Sequence, residues 1–215
     1  MLAIPGQFRA LAAFLLLVVA ATAPRAQDVT GQHYAEIVPP RPVATGERIE
    51  VLEFFYYGCP VCYEAQPHIA RWLAKAGNDV SLRRVPAVTV DGWEAFARSY
   101  YALEALGLLE RLHWAVYDSH HFDGKRLDEE APMIDWVAAH GGDGSRFAGL
   151  RNSREIKARV DQARQMLELY GVRGVPSLVI DGKYLASARL AGGVREMMMV
   201  VDQLVARARE ERRKN

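Results

Sequence analysis

The strongest constraint on this chain is Cys59-Pro60-Val61-Cys62, which holds its only two cysteines where an apolar run meets an amphipathic one. Upstream, residues 49–57 (IEVLEFFYY) are β-branched and aromatic with few polar breaks, the pattern of a strand covered on both faces. Gly58 permits a sharp turn, and from Pro60 onward Cys62, Ala65, Ile69, Trp72, Leu73 and Ala76 recur at helical spacing until Gly77-Asn78 offers a C-cap. Pro60 suits the first helical position, because the amide it lacks would have no partner there. Cys59 is thereby expected at the N-cap, facing unpaired backbone amides and the positive end of the helix dipole, both of which favour a thiolate. A sulfur of that kind is a good leaving group and a stable product of reduction, so a bridge between Cys59 and Cys62 is expected to be oxidising. Cys62 lies a turn deeper, which assigns Cys59 as the attacked sulfur and Cys62 as the resolving one. Pro67, inside the helix, is expected to kink it.

Other uses of a Cys-x-x-Cys pair fit less well. A structural zinc site needs four ligands, and there is no second cysteine pair. A c-type haem requires His after the second cysteine, where Tyr63 stands. A stapling bridge across two residues closes so short a loop that it removes little unfolded-state entropy. A redox-active dithiol is the favoured reading, with a structural bridge in a non-catalytic secreted binding module as the alternative from another class.

The first residues bear on the redox compartment. Arg9 is the only charge before an apolar run over residues 11–21, which ends in Thr22-Ala23-Pro24-Arg25-Ala26. Eleven apolar residues span about half of a bilayer's hydrocarbon core, so a secretory signal peptide is preferred to a membrane anchor. Cleavage after Ala26 is favoured over cleavage after Ala23. Removing residues 1–26 takes away two arginines and no acid, which turns a formal charge of +1 into −1. So even a balance gives no electrostatic case for a nucleic-acid partner. The mature protein is expected in a compartment where disulfides persist.

A second informative segment begins at Gly174-Val175-Pro176. Residues 177–180 read as a strand, Asp181-Gly182 as a hairpin turn, and a second strand begins at Lys183. Local sequence alone favours a trans bond before Pro176. Between the two segments helical spacing dominates, with helices expected over 93–106, 108–120, 128–140 and 153–170. Asn152 and Glu155 have capping-box spacing, and a last helix is expected over 194–209 with a solvated charged tail to Lys214. Residues 28–46, with Pro39, Pro40 and Pro42, read as an extended lead-in. His120-His121 is expected to be an exposed loop pair and not a metal site, His68 solvent-facing, and Met197-Met198-Met199 core packing. Tyr56, Tyr57 and Trp93 are candidates for an apolar rim that meets clients.

Strand, Cys-Pro-x-Cys helix and a distant Gly-Val-Pro before a hairpin resemble the thioredoxin superfamily. In detail, Val51-Leu52-Glu53-Phe54-Phe55 with Cys59-Pro60-Val61-Cys62-Tyr63, and Gly174-Val175-Pro176 with Asp181-Gly182-Lys183-Tyr184, resemble the DsbA-type periplasmic thiol:disulfide oxidoreductases. The resemblance implies an α/β, thioredoxin-like fold with an inserted helical domain: a thioredoxin-like domain from 27–91 and 166–215, and an insertion from 92–165. It implies a cis peptide at Val175-Pro176 beside the disulfide, with the Val175 backbone pairing to an extended substrate. It makes Glu53 a buried carboxylate that moves protons to or from Cys62; its apolar neighbours agree, and burial suits a carboxylate to that task. A basic residue on the second core strand is also implied, for which Arg84 or its neighbour Arg83 would serve.

Implied partners are reduced or unfolded secreted proteins and a quinone-linked membrane oxidase of the DsbB type, with the chain a monomer and no soluble cofactor or metal. A reductase or isomerase of the same fold is the alternative within the family. Val61 departs from the His that well-known members carry there, which predicts a less depressed Cys59 pKa and a milder oxidant.

Overall fold

A computed structural model describes residues 33–214 of the chain, so the predicted leader lies outside the described residues. Five strands form one mixed sheet in the order β1-β5-β4-β2-β3. At its centre, β2 (Ile49–Phe55) is buried along its whole length, as its uninterrupted apolar pattern required. It runs parallel to β3 (Val80–Pro86) and antiparallel to β4 (Ser177–Ile180). The β4 strand turns through Asp181-Gly182 into β5 (Tyr184–Ser187), with both turn residues at positive φ. Gly182 has a further constraint, since a Cβ there would lie 2.0 Å from the Arg41 carbonyl oxygen.

The predicted lead-in contains a strand. β1 (Tyr34–Glu36) pairs antiparallel with β5, and the amides of Ile37 and Arg41 extend the contact to the carbonyls of Lys183 and Gly182. Pro39, Pro40 and Pro42 follow it after Ile37 and Val38.

One face of the sheet is covered by α1 (Pro60–Ala76) and α8 (Val194–Lys214), which also pack on each other. Ile49 and Val51 of β2 meet Ala65 and Ile69 of α1 and Met197, Val201 and Leu204 of α8 in this layer. Pro67 lies within α1 without ending it. Met197 and Met198 are core residues, but Met199 is 58% exposed. The charged tail is helical and tethered, contrary to the expected solvated end. Arg209 reaches Asp79, Arg212 reaches Asp181 and the Glu47 carbonyl, and Glu211 takes Lys183 and the Tyr184 hydroxyl.

The other face carries the segment between β3 and β4. A 3-10 turn (Asp91–Trp93) leads into α2 (Glu94–Ala105), followed by α3 (Leu109–His121), α4 (Glu130–Ala139), α5 (Gly144–Arg151) and α6 (Arg154–Leu169). Leu52, Phe54 and Phe55 share one core with Phe96, Tyr100, Val116, Trp136, Phe147 and Val160 of these helices. The helix α5 was not anticipated, nor was the four-residue α7 (Ala188–Ala191). The N-cap of α6 is Ser153, whose hydroxyl accepts from the Ile156 amide, and not Asn152, which closes α5. No described helix is long and apolar enough to cross a membrane.

Candidate functional site: a cysteine pair at a helix start

The end of β2 delivers the chain to the cysteines through Tyr56, Tyr57 and Gly58. A side chain at position 58 has no room, because a Cβ there would lie 2.6 Å from the Tyr56 ring. The Cys59 amide donates to the Tyr56 carbonyl at 3.1 Å, which fixes the turn, and Cys59 is the N-cap of α1 with Pro60 as its first residue. The sulfur of Cys59 does what a Ser or Asp oxygen does at other helix starts: it accepts from the Cys62 amide, at 3.3 Å. As a thiol, Cys59 also donates to the Val175 carbonyl at 3.8 Å.

The environment separates the two sulfurs. Cys59 is partly exposed and Cys62 fully buried, and both are free cysteines. The Cys59 pKa is lowered to about 6, first by the hydrogen bond from the Cys62 side chain and then by the backbone amides of Cys62 and Val61, which together outweigh its partial burial. Cys62 is pushed the other way, far above the ordinary thiol range. Burial is the main cause; donating to Cys59 and the negative charges of Cys59 and Glu53 add to it.

Behind the pair, Glu53 has no exposed surface. A buried carboxylate without partners costs several kcal/mol, and each Glu53 oxygen has one. Oε1 accepts from Gln66 Nε2 at 2.7 Å and Oε2 from Arg84 Nε at 2.9 Å. Gln66 stands one turn beyond Cys62 on α1 and Arg84 lies opposite Glu53 in the β2–β3 register, so this carboxylate joins three elements. Arg83 instead pairs with Glu50, at 2.8 Å. Gln66 was missed in the sequence; its signal was a polar residue at i+4 from Cys62, on the helix face that turns inward.

The Val175-Pro176 peptide is cis, as the resemblance implied and local sequence did not. Ser177 Oγ, which donates to the Gly174 carbonyl at 2.7 Å, braces the loop that carries it. Val61 is 41% exposed and brings only its amide to Cys59.

The aromatic rim needs correction. Tyr56 and Trp93 stack at 4.0 Å between centroids and are partly exposed, but Tyr57 is fully buried, with its hydroxyl 2.8 Å from His113 Nδ1. Burial, with the nearby Arg84 charge, holds the His113 pKa well below its ordinary value, so this imidazole is neutral. The histidine pair is likewise no exposed loop. His120 and His121 close α3, and His121 Nε2 donates to the Tyr57 carbonyl at 2.7 Å while its ring stacks on Tyr63. His68 is partly buried. Among the described residues no three His, Cys, Asp or Glu side chains gather as a metal site would require.

Comparison with known proteins agrees with this geometry. The DSBA-like thioredoxin domain profile matches residues 78–205, downstream of the cysteine pair. The thiol:disulfide interchange protein DsbA of Azotobacter vinelandii is 37% identical over 179 residues, covering 83% of this chain and 84% of that protein. Its namesake in Pseudomonas aeruginosa is 35% identical over 193 residues, covering 89% and 92%. The crystal structure of Pseudomonas aeruginosa DsbA superposes with a TM-score of 0.78 at 35% identity, over 84% of this chain and 94% of that one. That of Xylella fastidiosa DsbA gives 0.78 at 30% identity, over 85% and 98%. The chain belongs to the DSBA-like thioredoxin-domain family and is a thiol:disulfide oxidoreductase.

Proposed function

We propose that the chain is a periplasmic dithiol oxidase that donates a Cys59–Cys62 disulfide to reduced secreted proteins. The observation that carries this reading is the inequality of the sulfurs: an accessible Cys59 stabilised as a thiolate, and a buried Cys62 that holds its proton. A client thiolate attacks Cys59 Sγ, the Cys59–Cys62 bond breaks, and Cys62 leaves with the bonding pair and takes up a proton. A second client thiolate attacks the client sulfur of the mixed disulfide and expels Cys59 as a thiolate. Two electrons pass from client to enzyme, and the client gains a disulfide. Because Cys59 is the better-stabilised anion, the second step runs towards release.

Glu53 is proposed to serve as the proton store for Cys62, with Gln66 and Arg84 holding its carboxylate in place. Pro60 sets the first turn of α1, Val61 supplies an amide, and the Val175 backbone before Pro176 pairs with the extended client. A quinone-linked membrane oxidase of the DsbB type is proposed to restore the bridge, with the chain working as a monomer after removal of residues 1–26. The helical segment 92–165 is proposed as an insertion that caps the sheet beside the dithiol.

The test is oxidation of reduced, unfolded ribonuclease by the purified oxidised protein, with Cys59→Ser as control. Stoichiometric disulfide transfer lost in Cys59→Ser is expected. Transfer that survives the substitution would exclude the catalytic dithiol, and a strongly reducing potential in glutathione equilibration would favour the reductase alternative.

A further inference from the structure

We propose that the cleft behind the cis-proline loop is a carboxylate subsite, taking an acidic side chain of an extended client segment close to the reacting cysteine. This rests on the disulfide-exchange reading above and adds a substrate class to it.

The cleft has a volume of about 280 Å³ and lies between the Val175-Pro176 loop, β5 and α7. Arg173 and Arg189 both line it, and no acidic residue does. Both arginines are exposed, and neither is ion-paired among the described residues, whereas Arg164 is held by Glu94 and Arg212 by Asp181. The neighbouring cleft shares Arg173 and includes Glu168, which makes no ion pair with it. The two hydroxyls in the cleft are engaged locally: Ser177 donates to the Gly174 carbonyl and Ser187 accepts from the Leu190 amide. The lining thus offers two free guanidinium forks, whose geometry matches a carboxylate, and no competing anion.

Position ties the cleft to the reaction. It borders Val175, whose carbonyl is 3.8 Å from Cys59 Sγ. An extended segment advances about 3.3 Å per residue and points alternate side chains to one side, so a residue about one to three positions from the bonded cysteine reaches Arg173 or Arg189. Opposite charges at partly exposed sites are each worth about a few-fold in binding at low salt. The contact is the same in the bound complex and in the transition state, so it lowers KM and leaves kcat alone.

The test uses the oxidised full-length mature protein and pairs of synthetic dithiol peptides that differ only by Glu or Gln at each of the three positions on either side of the attacking cysteine. At low ionic strength one Glu peptide is expected to exceed its Gln twin by roughly fivefold in kcat/KM, through KM, with the ratio falling towards one in high salt. Arg173→Gln with Arg189→Gln brings the ratio to about one, and Arg173→Glu with Arg189→Glu takes it below one. Because each readout is a ratio within one variant, a general loss of activity does not mimic the result. Equal rates for every Glu and Gln pair, or a preference that survives both double variants, would overturn the subsite while leaving the exchange reading intact. Failure to oxidise any peptide would overturn the exchange reading, and this inference with it.

Discussion

Cys59 and Cys62 are three residues apart at one helix start, yet their surroundings shift their thiol pKa values in opposite directions. Cys59 occupies the N-cap, where amides that lack helical partners converge on it, and part of its surface remains open. Cys62 has entered the helix, its amide spent on Cys59 and its side chain sunk into the core beside Tyr57 and Tyr117. A single turn of helix is therefore enough to separate an anion from a thiol. The lowering at Cys59 comes first from the Cys62 thiol and then from the amides of Cys62 and Val61, with no cationic side chain among its causes.

The most direct way to break this contrast is selective alkylation of the reduced protein. Iodoacetamide at neutral pH is expected to modify Cys59 faster than Cys62 by about a thousandfold or more, because the thiolate is the nucleophile. Peptide mapping reads the ratio, and comparable labelling of both cysteines would dissolve the distinction. The pH dependence of the Cys59 reaction sharpens it: the rate should titrate with a midpoint at about 6.

The same shift predicts a stability difference between redox forms. The folded Cys59 pKa lies below its unfolded value, so the stabilisation of the reduced form is complete above the unfolded value and is lost as pH falls through about 6. The reduced protein should gain in Tm relative to the oxidised one as pH rises from about 6 towards 8.5, and groups common to both forms cancel. A flat difference across that window would contradict the assignment.

Smaller in effect is Val61→His, which adds a group able to interact favourably with the Cys59 thiolate. A rise in reduction potential of about 10–30 mV is expected by glutathione equilibration, corresponding to about 0.5–1.4 kcal/mol. No change, or a fall, would mean that the amides already saturate the sulfur. Smallest is Tyr117→Phe on the buried side, where the Tyr117 hydroxyl has no hydrogen-bond partner among the described residues. Its removal should leave stability unchanged or raise it by under about 1 kcal/mol in urea unfolding. A loss of several kcal/mol would identify a polar contact beneath Cys62.

What could be read from the sequence was what local chemistry decides. Pro60 and Gly77 bound α1, and the apolar run before Gly58 is the fully buried β2, because caps, turn residues and periodicity act within a few positions. What escaped depends on distant partners. β1 is three residues beside prolines and exists because β5 offers it hydrogen bonds. Helix α5 contains Gly144 and Gly149, which depress its intrinsic propensity, and it is held by packing around Phe147. The cis bond before Pro176 has no local signature, and only the resemblance pointed to it. Within the site the cysteines and Glu53 were legible, but Gln66 as a partner of Glu53 was not, since the choice between Arg83 and Arg84 and the help of Gln66 are settled by the register of β2 against β3 and α1.

The short strand β1 has a consequence for a protein that handles unfolded chains. An open sheet edge invites any extended polypeptide to add itself, which for such an enzyme would mean co-aggregation with its own clients. Among the described residues one margin of the sheet is three residues long, and Pro39, Pro40 and Pro42 beyond it deny further amides to an intruder. The opposite margin, β3, carries Arg83 and Arg84, ends in Pro86 and lies against α2 and α6. Both margins are thus poor templates for an added strand, which under the proposed function leaves the loop beside Cys59 as the place for client backbone to dock.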